Sequence, residues 1–173
     1  IFETGTARGV SSVCMAHIMN EYNCEGNIIT LDHSPLHKKD KWNCIHDFEH
    51  DGLKTRMEIV DINYKGLREK YINMIECDSV VYTKTNPDNL EHIHFAFLDG
   101  AHKYQNLLDE LRFVEDKQCI GDVIIVDDYT KTQFPELVKA VDNFIADGKY
   151  DYKLFYGNDG TKRRGYVYMI KIK

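Results

Sequence analysis

Phe2-Glu3-Thr4-Gly5-Thr6-Ala7-Arg8-Gly9-Val10-Ser11 carries the strongest local signal in the chain. Its apolar start reads as the end of a strand, Gly5 as a sharp turn, and the residues from Gly9 onward as the opening of a helix. Glycine at such a turn lets the backbone come close to a ligand. The helix opening offers backbone N–H groups with no partner inside the helix, which suits a carboxylate or a phosphate. The order is acid-x-Gly-x-x-x-Gly, not the GxGxxG of dinucleotide sites. A tight strand-to-helix turn that holds no ligand satisfies the same residues.

Working outward, short apolar runs alternate with helical patterns. Asn27 to Leu31 ends at Asp32, Ile72 to Ile75 near Asp78, His94 to Leu98 at Asp99, and Asp122 to Val126 at Asp127. Apolar runs of this length, each closed by an acid, read as buried parallel strands. Leu107, Leu111 and Val114 repeat at helical spacing, as do Leu137, Val141, Phe144 and Ile145, with Pro135 near the start of the second helix. Alternating strands and helices imply right-handed βαβ units around a parallel sheet. Tyr152 to Tyr156 and Tyr166 to Ile172 are strand-like and are joined through Asn158-Asp159-Gly160, a hairpin signal that predicts an antiparallel final strand. In residues 36–70, Leu53, Met57, Val60, Tyr64 and Leu67 fit a helix, while Met57 to Ile62 also fits a strand.

Asp32 sharpens the reading of the glycine turn. An acid at the end of the second strand can accept both ribose hydroxyls of a nucleoside, although it could also cap a helix or sit in solvent. Together the two features suit S-adenosylmethionine, a nucleoside with an amino-acid end. Glu3 would face the ammonium, Gly5 and Gly9 would let the loop lie against the methionine chain, and Ser11 would bond its carboxylate. Asp78 and Ser79, after the next strand, are candidates for the adenine, with a helix cap as the alternative for Asp78.

These residues resemble a known family. Phe2 to Ser11 is similar to the first motif of class I S-adenosylmethionine-dependent methyltransferases. Phe97-Leu98-Asp99-Gly100-Ala101-His102-Lys103-Tyr104 resembles the fourth-strand motif of small-molecule O-methyltransferases of the macrocin O-methyltransferase and cephalosporin hydroxylase-like type, related to catechol and caffeoyl-CoA O-methyltransferases. The resemblance implies a Rossmann-like, doubly wound, mostly parallel seven-stranded sheet of order 3-2-1-4-5-7-6, with the last strand antiparallel. It also implies that residues 1–173 form one cofactor-binding domain whose N-terminal segment, expected to help cover the substrate, is missing here.

Asp99 follows the fourth strand, and Asp127 and Asp128 follow the fifth. In the implied sheet these strands are neighbours, so three carboxylates gather and repel one another unless a cation joins them. Oxygen ligands point to Mg²⁺, with Mn²⁺ or Ca²⁺ as alternatives. Catechol-type enzymes resemble this arrangement, and the resemblance implies that the metal chelates a substrate hydroxyl. His102 stands where those enzymes carry a lysine base, so it and Asp99 are the catalytic candidates; a surface histidine at a helix start is the alternative reading. His33/His37 and His46/His50, with Cys44 nearby, have i,i+4 spacing that a zinc site could use. Trp42 is a candidate pocket aromatic or a core residue, and Arg163-Arg164 read as flanks of an exposed turn.

Composition narrows the function. Hydrophobic residues make up 43% and charged residues 29%, which excludes global disorder. No apolar run approaches the roughly 20 residues that span a bilayer, so no membrane partner is expected. A net charge of −6 disfavours a phosphate backbone as partner; the resemblance implies a small hydroxylated acceptor. Five scattered cysteines without a CxxC pair fit free thiols in the cytoplasm. A homo-oligomer is compatible with these features. The expected activity is metal-assisted methyl transfer to a small-molecule hydroxyl. The alternatives are an NAD-linked oxidoreductase and a non-catalytic cofactor-binding domain of the same fold.

Overall fold

The computed structural model describes residues 1–41, 53–158 and 163–173. Strands β1 (Phe2–Thr4), β2 (Ile28–Asp32), β5 (Ile72–Glu76), β6 (Phe95–Leu98), β7 (Val123–Val126), β8 (Tyr150–Asn158) and β9 (Arg163–Lys171) form one sheet in the order β5-β2-β1-β6-β7-β9-β8. Its strands are parallel except β9, which runs antiparallel to both β7 and β8. This is the Rossmann-like α/β sheet with a reversed last strand that the chain's alternation implies. A separate two-stranded sheet pairs β3 (Asp40–Lys41) with β4 (Leu53–Lys54).

The chain divides into two compact units. The first comprises Ile1–Gly5 and Asp78–Lys173. It contains β1, β6, β7, β8 and β9 with helices α3 (Ser79–Thr85), α4 (Tyr104–Glu115) and α5 (Pro135–Ile145). Pro135 occupies the first turn of α5, where its missing N–H costs nothing, and the buried face of that helix is Leu137, Val138, Val141 and Phe144. Helix α4 buries Leu107, Leu108, Leu111 and Val114 at the same 3–4 residue spacing. Phe2, Tyr82 and Phe113 pack as an aromatic cluster with centroids 5.5–6.2 Å apart. Ala96, Leu98, Ile124 and Val126 are buried on alternate positions of β6 and β7.

The register of this unit positions its acids. Thr4 pairs with Leu98, and Leu98 pairs with Val126. Gly5, Asp99 and Asp127 therefore leave β1, β6 and β7 at equivalent positions. Asp99 N–H donates to Thr4 O (3.0 Å) and Asp127 N–H to Leu98 O (3.1 Å), so the ladder continues one step past the strands.

The second unit is Thr6–Cys77, with the parallel pair β2–β5 and helices α1 (Val10–Glu21) and α2 (Arg56–Tyr71). Of residues 36–70, those from 56 onward form a helix that begins later than the periodicity suggests, and 42–52 lie outside the described residues. Leu53 lies in β4, and Thr55 starts α2 with a capping box in which Thr55 and Glu58 exchange side-chain-to-backbone bonds. Tyr64 leaves helical geometry (φ −133°), so the apolar repeat does not form one buried face: Val60 and Tyr71 are buried and Tyr64 is exposed. Trp42, Cys44, His46, His50 and the Asp159-Gly160 turn lie outside the described residues.

Candidate active site

In the Thr6–Cys77 unit, the glycine loop is tied to the end of β2. Thr6 N–H donates to Leu31 O (3.2 Å), and the Thr6 and Thr30 hydroxyls share a 2.7 Å bond. Gly9 N–H donates to Thr6 O (2.7 Å), and Gly9 caps α1 with φ +76°. A Cβ on Gly9 would meet Val60 Cγ2 at 2.6 Å, so the glycine is required by both its backbone angle and the close approach of α2.

Asp32 is the hub of this unit. Its Oδ2 accepts from Ala7 N–H (2.9 Å), and its Oδ1 accepts from Ser34 N–H (2.8 Å). Arg56 Nη1 lies 3.2 Å from Oδ2, and Arg56 is itself buried. Burial acts to raise the Asp32 pKa, but the Ser34 and Ala7 N–H groups and the Arg56 guanidinium outweigh it and hold the carboxyl below its usual range. Asp32 is thus an anion that orders the loop at Ala7. Neither Arg56 nor the Ala7 bond could be read from the sequence, because both depend on how distant segments fold together. His33 and His37 lie in non-helical chain, so their spacing does not place them on one helix face.

In the other unit, Glu3 is fully buried at the middle of β1. Thr4 Oγ1 donates to Oε2 of the buried Glu110 on α4 (3.1 Å). Gly5 has φ +88°, and a Cβ there would stand 2.4 Å from Asp99 O. The turn predicted at Gly5 therefore exists because β1 and β6 end against each other. Asp78 caps α3, its Oδ1 accepting from Val80 N–H (2.8 Å), and Ser79 is the first residue of that helix. Asp78 therefore serves as the N-cap of α3.

Asp99, His102 and Asp128 bring one ligating atom each within 4.8 Å of one another. His102 Nε2 lies 3.0 Å from Asp128 Oδ2, and its ring stacks on Phe134 with centroids 4.2 Å apart. Asp128 adopts φ +61°, a left-handed conformation uncommon for a non-glycine residue. Asp127 Oδ1 accepts from Asp128 N–H (2.5 Å). Burial, then repulsion from Asp127 and Asp128, pushes the Asp99 pKa up to about 7. Asp127 is also raised, chiefly by burial. Arg164 Nη1 stands 3.3 Å from Asp128 Oδ1 and 3.8 Å from Asp127 Oδ2, so this arginine reaches the carboxylates rather than merely flanking a turn.

Such a group suits a divalent cation: two converging carboxylates, Asp99 and Asp128, beside an imidazole. The donor set is mixed oxygen and nitrogen, which Mn²⁺ accepts as readily as Mg²⁺.

Residues 2–129 match the model of a methyltransferase domain family. The chain belongs to that family. No curated protein matches it in sequence. The methyltransferase chain resembles the O-methyltransferase from Bacillus cereus in complex with SAH, with a TM-score of 0.70 and 14% identity over 99% of this chain and 73% of that one. It is similar to the O-methyltransferase TomG from Streptomyces achromogenes, involved in tomaymycin synthesis and in complex with SAM (TM-score 0.68, 13% identity, 99% and 72% covered). It also resembles an rRNA methylase from Streptococcus thermophilus (TM-score 0.66, 10% identity, 99% and 86% covered). At these identities the likeness is one of fold. Among the described residues no helix is long and apolar enough to cross a membrane. Among the described residues, Cys14, Cys24, Cys77 and Cys119 form no disulfide with one another.

Proposed function

We propose that residues 1–173 act as one S-adenosylmethionine-dependent O-methyltransferase domain that methylates a hydroxyl of a small molecule with the help of a divalent cation. The observation that carries this reading is the convergence of Asp99, His102 and Asp128 at the ends of two neighbouring strands of a methyltransferase-family chain. The acidic net charge of −6 supports a small acceptor over a polynucleotide.

For the cofactor, Asp32 would take the ribose hydroxyls with the lone pairs that Ala7, Ser34 and Arg56 leave. Glu3 would face the ammonium, Gly5, Gly9 and Ser11 would serve the methionine end, and Asp78 and Ser79 would serve the adenine. S-adenosylmethionine supplies a methyl group on a sulfonium, an electrophile that needs no further activation. Asp99, Asp128 and Asp127 are the residues to hold Mg²⁺ or Mn²⁺, whose charge would lower the acceptor hydroxyl's pKa.

His102 is the proton acceptor. When Nε2–H donates to Asp128 Oδ2, Nδ1 carries the free lone pair. Stacking on Phe134 holds the ring plane. In the methyl transfer that bound S-adenosylmethionine would supply, His102 Nδ1 would take the proton that the acceptor hydroxyl gives up.

Calorimetry with S-adenosylhomocysteine and with NAD, followed by release of S-adenosylhomocysteine from S-adenosylmethionine across a panel of phenols, sugars, polyketide alcohols and RNA, tests the proposal. Binding of S-adenosylhomocysteine alone, with turnover on at least one alcohol and none on RNA, is the expected result. Tighter binding of NAD would overturn the cofactor assignment. Cofactor binding without turnover on any acceptor class would leave a binding domain in place of an enzyme.

A further inference from the structure

A second cluster of metal-ligating side chains lies at the opposite end of β6 and β7 from Asp99 and Asp127. His92 precedes β6, and Cys119 and Asp122 precede β7. One ligating atom from each lies within 4.8 Å of the others. His92 Nε2 is 2.7 Å from Asp122 Oδ2.

We propose that His92, Cys119 and Asp122 form a binding site for a borderline-soft divalent cation of the zinc type. The imidazole, thiolate and carboxylate donors suit Zn²⁺, whereas Mg²⁺ and Ca²⁺ prefer oxygen alone. Metal–ligand bonds of about 2.0–2.3 Å place tetrahedral ligands roughly 3.3–3.5 Å apart. The present spacing reaches that with side-chain adjustment, and His92 and Cys119 are both exposed enough to make it.

The backbone around the cluster is already organised. Asp122 N–H donates to Cys119 O (3.1 Å), while Cys119 N–H donates to Asp122 Oδ2 (2.6 Å), closing a tight turn that presents two ligands together. Gly121 gives that turn its left-handed residue (φ +97°). The turn is pinned to β9, since Gly121 N–H donates to Lys171 O (2.9 Å) and Lys171 N–H to Asp122 O (3.0 Å). Val123 N–H donates to His94 O (3.0 Å), which ties the chain entering β6 to the chain entering β7. His94 stacks on His92 with centroids 3.8 Å apart and limits where the His92 ring can swing. Asp122 and His92 then need only turn toward the Cys119 sulfur, whose proton leaves for solvent as the thiolate binds. Water completes the coordination. The site would clamp the loop before β6 to the loop before β7.

Titration of the full chain with Co²⁺, anaerobically and with a non-thiol reductant, reads the site through thiolate-to-cobalt charge-transfer absorption. One equivalent should develop the band, and Zn²⁺ should abolish it. Cys119→Ser should remove the band, His92→Ala should weaken Co²⁺ binding about tenfold or more, and Asp99→Asn should leave the spectrum unchanged. In an Asp99→Asn background, which disables the other cation group, Zn²⁺ should raise the melting temperature of the chain but not of its His92→Ala variant. Should Cys119→Ser fail to fold, the His92→Ala titration decides alone. No band in the parent chain, the same band in Cys119→Ser, or unaltered affinity in His92→Ala would overturn the proposal.

Discussion

His102 Nε2 faces Asp128 Oδ2 across 3.0 Å, and this contact decides which nitrogen of the imidazole is left to accept a proton. If His102 is the base, His102→Ala should lower turnover about 10²–10⁴-fold with little change in S-adenosylhomocysteine affinity. Steady-state rates on the best acceptor, with calorimetry alongside, measure both. Turnover within threefold of the parent chain, with an unaltered basic limb of the pH–rate profile, would eliminate the assignment. Phe134→Leu removes the stacking partner but no proton-carrying group, and a smaller loss is expected.

Asp32 has two duties, and substitution should reveal both. Asp32→Ala leaves the buried Arg56 cation without this carboxylate, a change that typically costs about 3–5 kcal/mol for a fully buried pair and less here because Asp32 is partly exposed. Cofactor affinity should fall at least about tenfold through loss of the ribose bonds. The double variant Asp32→Asn/Arg56→Met should recover melting temperature but not affinity. Unchanged affinity in calorimetry would remove Asp32 from the ribose.

Two acids should make stability fall as pH rises toward neutrality. Asp99 has a folded pKa of about 7 against an unfolded value of 3.8, and Glu110 has about 7 against 4.5, burial being the largest cause in each case. Between the unfolded and folded values the native state holds a proton that the unfolded state has released. The slope of stability against pH is therefore negative in that window, and the full penalty is present above pH 7. Glu110→Gln keeps an acceptor for Thr4 Oγ1 and should stabilise the chain at pH 8, by up to about 3 kcal/mol. Asp99→Asn should flatten the same window by less, because Asp99 is only partly buried. Denaturant melts from pH 4 to pH 8 test the signs; a melting curve that rises over this range would refute the account.

Chelation should separate metal assistance from base catalysis. Turnover should vanish after EDTA and return with Mg²⁺ or Mn²⁺, and Asp99→Asn and Asp128→Asn should each raise the concentration of cation needed. Full activity after thorough chelation would exclude the cation from the reaction. Zn²⁺ bound at His92 and Cys119 would not restore it.

Gly5→Ala should be strongly destabilising. It combines a left-handed backbone with a Cβ 2.4 Å from Asp99 O, and the contact is with backbone that cannot rotate away. A loss above about 2 kcal/mol is expected, seen as a lower melting temperature. Gly157→Ala, where a Cβ meets nothing within 4 Å, is the control.

Much of the architecture was legible in the chain because it is written in local chemistry. Apolar runs at β2, β5, β6 and β7 closed by acids, the 3–4 residue repeats of α4 and α5, Pro135 at a helix start and the turn at Gly5 each depend on residues within a few positions of one another. The sequence also showed that Asp99 and Asp127 follow strands, while the neighbourhood of those strands, which brings the carboxylates together, was implied by the family resemblance. Where locality fails, so did the reading: the kink at Tyr64 moved the buried face of α2, and the apolar repeat from Leu53 mistook a short strand for the first turn of a helix. Only the tertiary structure decided the partners. Arg56 beside Asp32, Thr4 bonded to Glu110, and Arg164 against Asp127 and Asp128 join residues 24, 106 and 36 or more positions apart. Such pairs follow from strand register and helix packing, which no periodicity encodes. The same holds for which of two adjacent acids meets His102: Asp128, in a left-handed backbone conformation, meets the imidazole while Asp127 bonds the Asp128 backbone, and that division leaves no mark in the order of the residues.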